Sequence, residues 1–238
     1  MALPMQSTPT FNLKIPSTGK IVKYRPFVVK EEKALLIAQQ SEDTKIMIDS
    51  LMTVLQGCIL DKIDINSLAM FDLEYMFLQI RGKSVGENVD LFFMCDEDHG
   101  ELNEKAKSKV TINLSEIEVV VPEGHTNKIP LFGDVGVVMK YPSLEDAGQV
   151  QDFENIDEIF EVVARSISMI YDGEKVYHAT ETSEEEMLEF LNNLTTDQFL
   201  KIQTFFTTMP KMQHTVEYTC PVCGKHHKQS LEGIANFF

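Results

Sequence analysis

The chain has 238 residues, 43% of them hydrophobic, enough to bury a full core as one large domain or two smaller ones. Its 37 acidic and 21 basic residues leave a formal net charge of −16, which argues against a general nucleic-acid binder, because phosphate contacts need a concentrated basic face. No apolar run reaches the roughly 18 residues that a membrane span needs, and no basic-then-apolar signal opens the chain, so a soluble cytoplasmic product is expected.

Residues 1–10 are polar and Pro-bearing, the composition of a flexible arm. Phe11-Asn12-Leu13-Lys14-Ile15 alternates, Pro16 to Lys20 turns, and Ile21 to Arg25 runs back to Pro26, which reads as a β-hairpin. From Lys30 the period becomes helical, with Glu31 and Glu32 suited to the positive helix end. Asp43 or Thr44 caps a second helix whose apolar face carries Ile46, Leu51, Val54, Leu55 and Cys58. A third is expected from about Ser67 to Arg81, with Gly82 as its stop.

Strand character returns at residues 88–95, followed by the acidic turn Asp96-Glu97-Asp98-His99-Gly100 and by strand signals at 110–114, 117–121, 128–131 and 136–141. Pro142 to Glu145 starts a short helix. A longer one is expected over 155–171, where Ile156, Ile159, Phe160, Val163, Ile167 and Ile170 recur every three or four residues. Ser183 followed by Glu186 is a capping-box signature, and another helix runs from Thr195 or Thr196 to Met209-Pro210. The expected architecture is α+β. A mainly helical body comprises an N-terminal hairpin plus helices (11–86), a β-rich insertion with a Cys95 hairpin (87–142) and C-terminal helices (143–210). A terminal Cys-x-x-Cys hairpin and latch (211–238) close the chain.

The most specific local signal is Val216 to His227, a strand that enters Cys220-Pro221-Val222-Cys223-Gly224 and heads for a second strand, Gln229 to Ile234, like half of a zinc ribbon. Four cysteines, two of them in that motif, fit a reduced compartment and a metal site better than a disulfide scaffold. Cys220 and Cys223 are candidate zinc thiolates, but a closed site wants four ligands. His226 and His227 lie close in sequence, at a spacing that ties them to the same knuckle. Cys95 with Asp98 or His99 qualifies only if the central and terminal hairpins meet. A thioredoxin-type role is disfavoured because the motif opens a strand and not a helix, and a calcium loop at 96–99 lacks the alternating oxygen ligands. No nucleophilic triad, phosphate loop or His-Glu-x-x-His pattern is present, so no enzymatic activity is expected. Phe205, Phe206, Phe237 and Phe238 are candidates for a protein interface, the last two as a terminal latch.

Leu13-Lys14-Ile15-Pro16-Ser17-Thr18-Gly19-Lys20, Tyr24-Arg25-Pro26-Phe27 and Lys30 to Leu36 together resemble the N-terminal signature of the T4-type bacteriophage baseplate hub assembly proteins. Phe205 to Pro210, Val216 to Gly224 and Leu231 to Phe238 are similar to that family's closing element. The resemblance implies a tail baseplate role, as hub component or assembly chaperone, with other hub proteins as partners and no catalytic residues. It places the protein in the host cytoplasm during assembly or in the virion baseplate. It also implies paired cysteines in the central hairpin, where this chain has Cys95 alone and Asp98 in the second position. Two rival functions are a zinc-ribbon accessory factor of transcription or replication, which the thin basic stripe of residues 211–228 supports weakly, and a hydrolase without a known motif.

Overall fold

The computed structural model describes residues 7–41, 44–144 and 156–233. Helices and strands are mixed, as the α+β expectation requires, and the chain separates into two compact units. Unit 1 takes residues 1–65, 71–120 and 211–238; unit 2 takes 66–70 and 121–210. Residues 87–142, grouped above as one β-rich insertion, are therefore divided between the units.

In unit 1, β1 (Phe11–Lys14) and β2 (Ile21–Tyr24) form the N-terminal hairpin, with Phe11 opposite Tyr24 and Lys14 opposite Ile21. Its turn is pinned from outside. The buried Asp72 carboxylate accepts the Ser17 backbone N–H at 2.9 Å and the Ser17 hydroxyl. Helix α1 (Val29–Ser41) lies against α2 (Thr44–Cys58), whose end returns to the hairpin through an Arg25 N–H to Cys58 carbonyl bond of 3.0 Å. The cap expected at Asp43 lies outside the described residues.

Helix α3 runs from Met70 to Val85, later at both ends than expected. Gly82 lies within it, where a Cβ would sit 3.7 Å from both Glu87 Cγ and Leu114 Cβ, and Gly86, with φ 118°, is the actual break. Strands β3 (Asn88–Met94) and β4 (Lys107–Asn113) pair antiparallel, with a 3₁₀ segment over Gly100–Ala106 between them. A three-stranded sheet completes the unit: β5 (Glu118–Val120), β10 (Lys211–Thr219) and β11 (His226–Glu232), with β10 in the middle. Leu78, Ile112, Leu114, Ile117, Met212, Val216 and Leu231 form one buried cluster, which joins α3, β4 and the terminal sheet.

Unit 2 contains an antiparallel sheet in the order β6 (Lys128–Phe132), β7 (Val135–Met139), β8 (Ile167–Asp172) and β9 (Lys175–His178). Helices α4 (Ile156–Arg165), α5 (Glu184–Asn192) and α6 (Thr196–Thr207) supply the rest of its core. The single helix expected over 155–171 is corrected: α4 stops at Arg165, and Ile167 and Ile170 belong to β8. Their three-residue spacing suits a helix, but Asp172-Gly173 closes a hairpin with Gly173 at φ 59°, and β8 gains partners on both edges. Ser183 and Thr195 both form full capping boxes, with Glu186 and Gln198 as reciprocal partners. Of the short helix expected at Pro142–Glu145, Glu145 lies outside the described residues.

Candidate metal centre

The turn after β3 and the turn after β10 come together within unit 1. Phe93 of β3 stacks on Tyr218 of β10 with centroids 5.1 Å apart, and the Tyr218 hydroxyl donates to the Met94 carbonyl at 3.3 Å. Ser108 of β4 donates to the Thr219 carbonyl at 3.0 Å. Lys225 reaches across to Asp96 at 3.0 Å and to Glu97 at 2.5 Å, which holds the Asp96 carboxyl below its ordinary range and raises the lysine. The acidic turn of this hairpin thus binds a cation of the other hairpin.

Each turn is shaped to present donors. In the terminal one, Gly224 at φ 74° donates to the Cys220 carbonyl at 3.0 Å, and the Cys220 N–H returns to the Lys225 carbonyl at 2.9 Å. In the central one, Asp98 accepts from the Gly100 N–H at 2.9 Å and the Asn103 amide at 3.1 Å, and Asn103 accepts from the His99 N–H at 2.7 Å. Asp98 therefore organises the loop and offers no ligand to the cluster. The next residue, His99, does.

Donor atoms of Cys95, His99, Cys220 and Cys223 all lie within 4.8 Å of one another. The Cys95 and Cys223 sulfurs are 3.9 Å apart, and His99 Nε2 is 3.5 Å from the Cys220 sulfur. Donors arranged tetrahedrally about one zinc ion, at about 2.3 Å for sulfur and 2.0–2.1 Å for nitrogen, stand about 3.8 Å (S···S) and 3.6 Å (S···N) apart. The set of three thiols and one imidazole fits such an ion in number, type and spacing. Cys220 is buried, Cys95 and His99 are half-buried and Cys223 is exposed.

Burial pushes the Cys95 thiol up to about 11, and the thiols of Cys220 and Cys223 add to the rise. Burial acts in the same sense on Cys220, but backbone N–H groups of Cys223 and Val222 and bonds from the Cys223 and Cys95 thiols bring it down to about 6. The bonds that lower Cys220 favour its thiolate, the form that binds a cation. Gathering more thiolates at this spacing calls for a bound cation.

His226, taken as a weak candidate ligand, does not reach the cluster; its Nδ1 pairs with Thr219 Oγ1 at 2.9 Å. Successive strand residues face opposite sides, so its neighbour His227 is the one that approaches Cys95, with Nε2 at 3.3 Å from the sulfur. The second strand starts at His226, three residues earlier than expected from sequence, and its alternation separates the two histidines. Cys58, the fourth cysteine, is buried away from the cluster, and burial pushes its thiol up to about 11. Phe205 is 2% exposed, stacked on His125 and Tyr141, and Phe206 packs against the same core, so α6 directs Phe205 inward rather than to a surface. Phe237 and Phe238 lie outside the described residues.

Among known proteins, the baseplate hub assembly protein gp26 of Enterobacteria phage T4 is 21% identical over 228 residues, which cover 96% of this chain and 96% of that protein. No solved structure matches the chain significantly. The family model described as T4 bacteriophage base plate protein matches residues 8–238, through both units and all four residues of the cluster. The chain belongs to that T4 base plate protein family.

Proposed function

We propose that this protein acts in assembly of the phage tail baseplate by binding other hub proteins, without catalysis, and that Cys95, His99, Cys220 and Cys223 hold a structural zinc ion. The reading of its role rests on the family match over residues 8–238. The site's closed set of four protein donors supports a structural ion over a catalytic one, since a catalytic zinc keeps a position open for water or substrate. Bound there, zinc would tie the central turn to the terminal one, and the metal's contribution to stability would be a contribution to the shape that partners meet.

The binding side of the proposal draws on charge and exposed apolar groups. A net charge of −16 favours encounter with basic partner surfaces. Val29 and Leu36, seven residues apart on one side of α1, are 77% and 53% exposed, and such groups serve as anchors in protein interfaces. Assembly would take place in the host cytoplasm, with the product associated with the tail baseplate.

Co-expression with the hub proteins of its phage, followed by native mass measurement and zinc determination, tests both parts. The expected result is a defined complex with a hub protein and one zinc per chain. A chain that stays alone beside every hub protein overturns the assembly reading; a complex free of zinc overturns the metal reading and leaves the other standing.

A further inference from the structure

One polar side chain packed against the four donors is not a member of that set. The His227 side chain is 10% exposed, and its ring is stacked on Tyr218 at 4.8 Å and 15°, while Tyr218 is itself stacked with Phe93 at 5.1 Å. The imidazole is thereby held by its face, with its edge directed at the Cys95 sulfur, 3.3 Å from Nε2. Its other nitrogen stands 3.6 Å from Asp96 Oδ1, beyond hydrogen-bond reach, and that carboxylate is already engaged by Lys225.

His227 groups with Cys95 and Asp96, whereas His99 groups with all three cysteines. A cation held by Cys95, Asp96 and His227 would have to displace Lys225 from Asp96 and share the Cys95 sulfur with the four-residue set. We infer that His227 is a positioning residue of the metal site: it donates Nε2–H to the Cys95 thiolate, fixes the direction of that sulfur and stabilises the negative charge the sulfur keeps when it binds a cation. This inference rests on the metal reading proposed above.

The terminal turn does the same for its own cysteine through the backbone, as the Val222 N–H lies 3.4 Å from the Cys220 sulfur. Cys95, from the central hairpin, likewise has a backbone bond from Glu97, and His227 adds a donor from the side chain of the opposite hairpin. The His227 bond therefore couples the ligand geometry to the pairing of the two hairpins. Partners of this kind, outside the ligand set, commonly change metal affinity about 10–100-fold when removed.

The test uses the full-length chain loaded with Co²⁺, whose thiolate charge-transfer and d–d bands report the ligands, together with Zn²⁺ affinity from chelator competition. His227→Leu removes the donor, His227→Gln keeps an N–H donor, and His99→Ala removes the assigned nitrogen ligand. We expect His227→Leu to keep tetrahedral d–d bands but shift the charge-transfer band and weaken Zn²⁺ about 10–100-fold, with His227→Gln restoring most of the loss. His99→Ala should lose the tetrahedral spectrum. A His227→Leu protein with wild-type band and affinity overturns the inference, as does one that loses the nitrogen ligand while His99→Ala retains it. If the unaltered chain takes up neither ion, the metal reading itself has failed; if it binds with three sulfurs and one nitrogen and the His227 variants match it, only the present inference has.

Discussion

Glu31 is 5% exposed, and a carboxylate removed from water keeps its charge only if partners replace the lost hydration. Here Arg25 Nη2 donates at 2.8 Å and the Val28 backbone N–H at 3.0 Å, so although burial raises the acid, these bonds win and hold it below its ordinary range. A depressed carboxyl contributes stability above its unfolded value that fades as pH falls through the folded one. Gly57 on α2 makes the space: a Cβ there would stand 3.2 Å from Glu31 Oε1. Glu31→Ala should cost about 1.5–3 kcal/mol in urea unfolding at neutral pH, since it removes bonds to a charged group. The deficit should shrink in acid, and an equal deficit at both pH values would mean that lost packing, not the ion pair, sets it. Gly136 poses a steric case at the same scale. A Cβ at this position would meet Tyr171 Oη at 2.1 Å and the Ile129 carbonyl oxygen at 2.5 Å. The tyrosine can swing aside but the carbonyl belongs to paired β6, so Gly136→Ala should lower the stability of unit 2 by about 1–3 kcal/mol. A thermal melt within a degree of the unaltered protein would show that β6 yields instead.

At the level of elements, His125 joins the segment ahead of β6 to the end of α6. Thr208 Oγ1 donates to the Thr204 carbonyl at 2.7 Å, so its lone pair is left to accept from His125 Nδ1–H at 3.0 Å; Nε2 then accepts from the Tyr141 hydroxyl at 2.9 Å. The network fits a neutral ring, and burial lowers the His125 pKa in agreement with it. With the folded value below the unfolded one, this contribution is fully present above the unfolded pKa, about 6.5, and is lost as pH falls through the folded value. His125→Gln should therefore flatten the pH dependence of melting between about pH 7.5 and 5. If both proteins lose the same number of degrees over that interval, another group governs the acid limb. Elements with local punctuation were legible in the sequence: the capping box at Ser183, the N-terminal hairpin and the strand pairs around Asp96 to Gly100 all follow from neighbouring residues. β8 was not, because Ile167 and Ile170 satisfy a helical spacing and the deciding partners, β7 and β9, are tertiary and hairpin contacts. The end of α3 was misplaced for a related reason. Gly82 is a stop signal by type, but the helix continues through it to Gly86, whose positive φ breaks it, and a Cβ at Gly82 would make only ordinary contacts at 3.7 Å.

For the molecule as a whole, two segments far apart in sequence build the candidate metal centre, and that decides what was legible and what removal of the proposed ion should do. Cys-x-x-Cys announces half of a site by spacing alone. Cys95 and His99 stand more than 120 residues away from it, so their membership depends on β10 pairing with β5 and on the shared core of α3, β4 and the terminal sheet. Closing such a loop costs conformational entropy, which the cluster of Leu78, Ile112, Met212 and Val216 offsets before any metal arrives. Chelation should therefore not unfold the chain as it does a small zinc finger, whose core cannot stand alone. It should instead open the two turns, where two of the four donors lie half-buried and one exposed. Unit 2 keeps its own core of Ile129, Leu131, Val137, Met139, Ile167, Ile202 and Phe205, and among the described residues no candidate ligand comes from it. Hydrogen exchange with and without chelator should thus speed roughly tenfold or more at residues 95–99 and 219–227, less along β3, β4, β10 and β11, and not at all in the sheet from β6 to β9. Equal acceleration in that sheet would make the ion a global determinant of stability, and unchanged exchange at both turns would mean that the hairpins are held by packing alone.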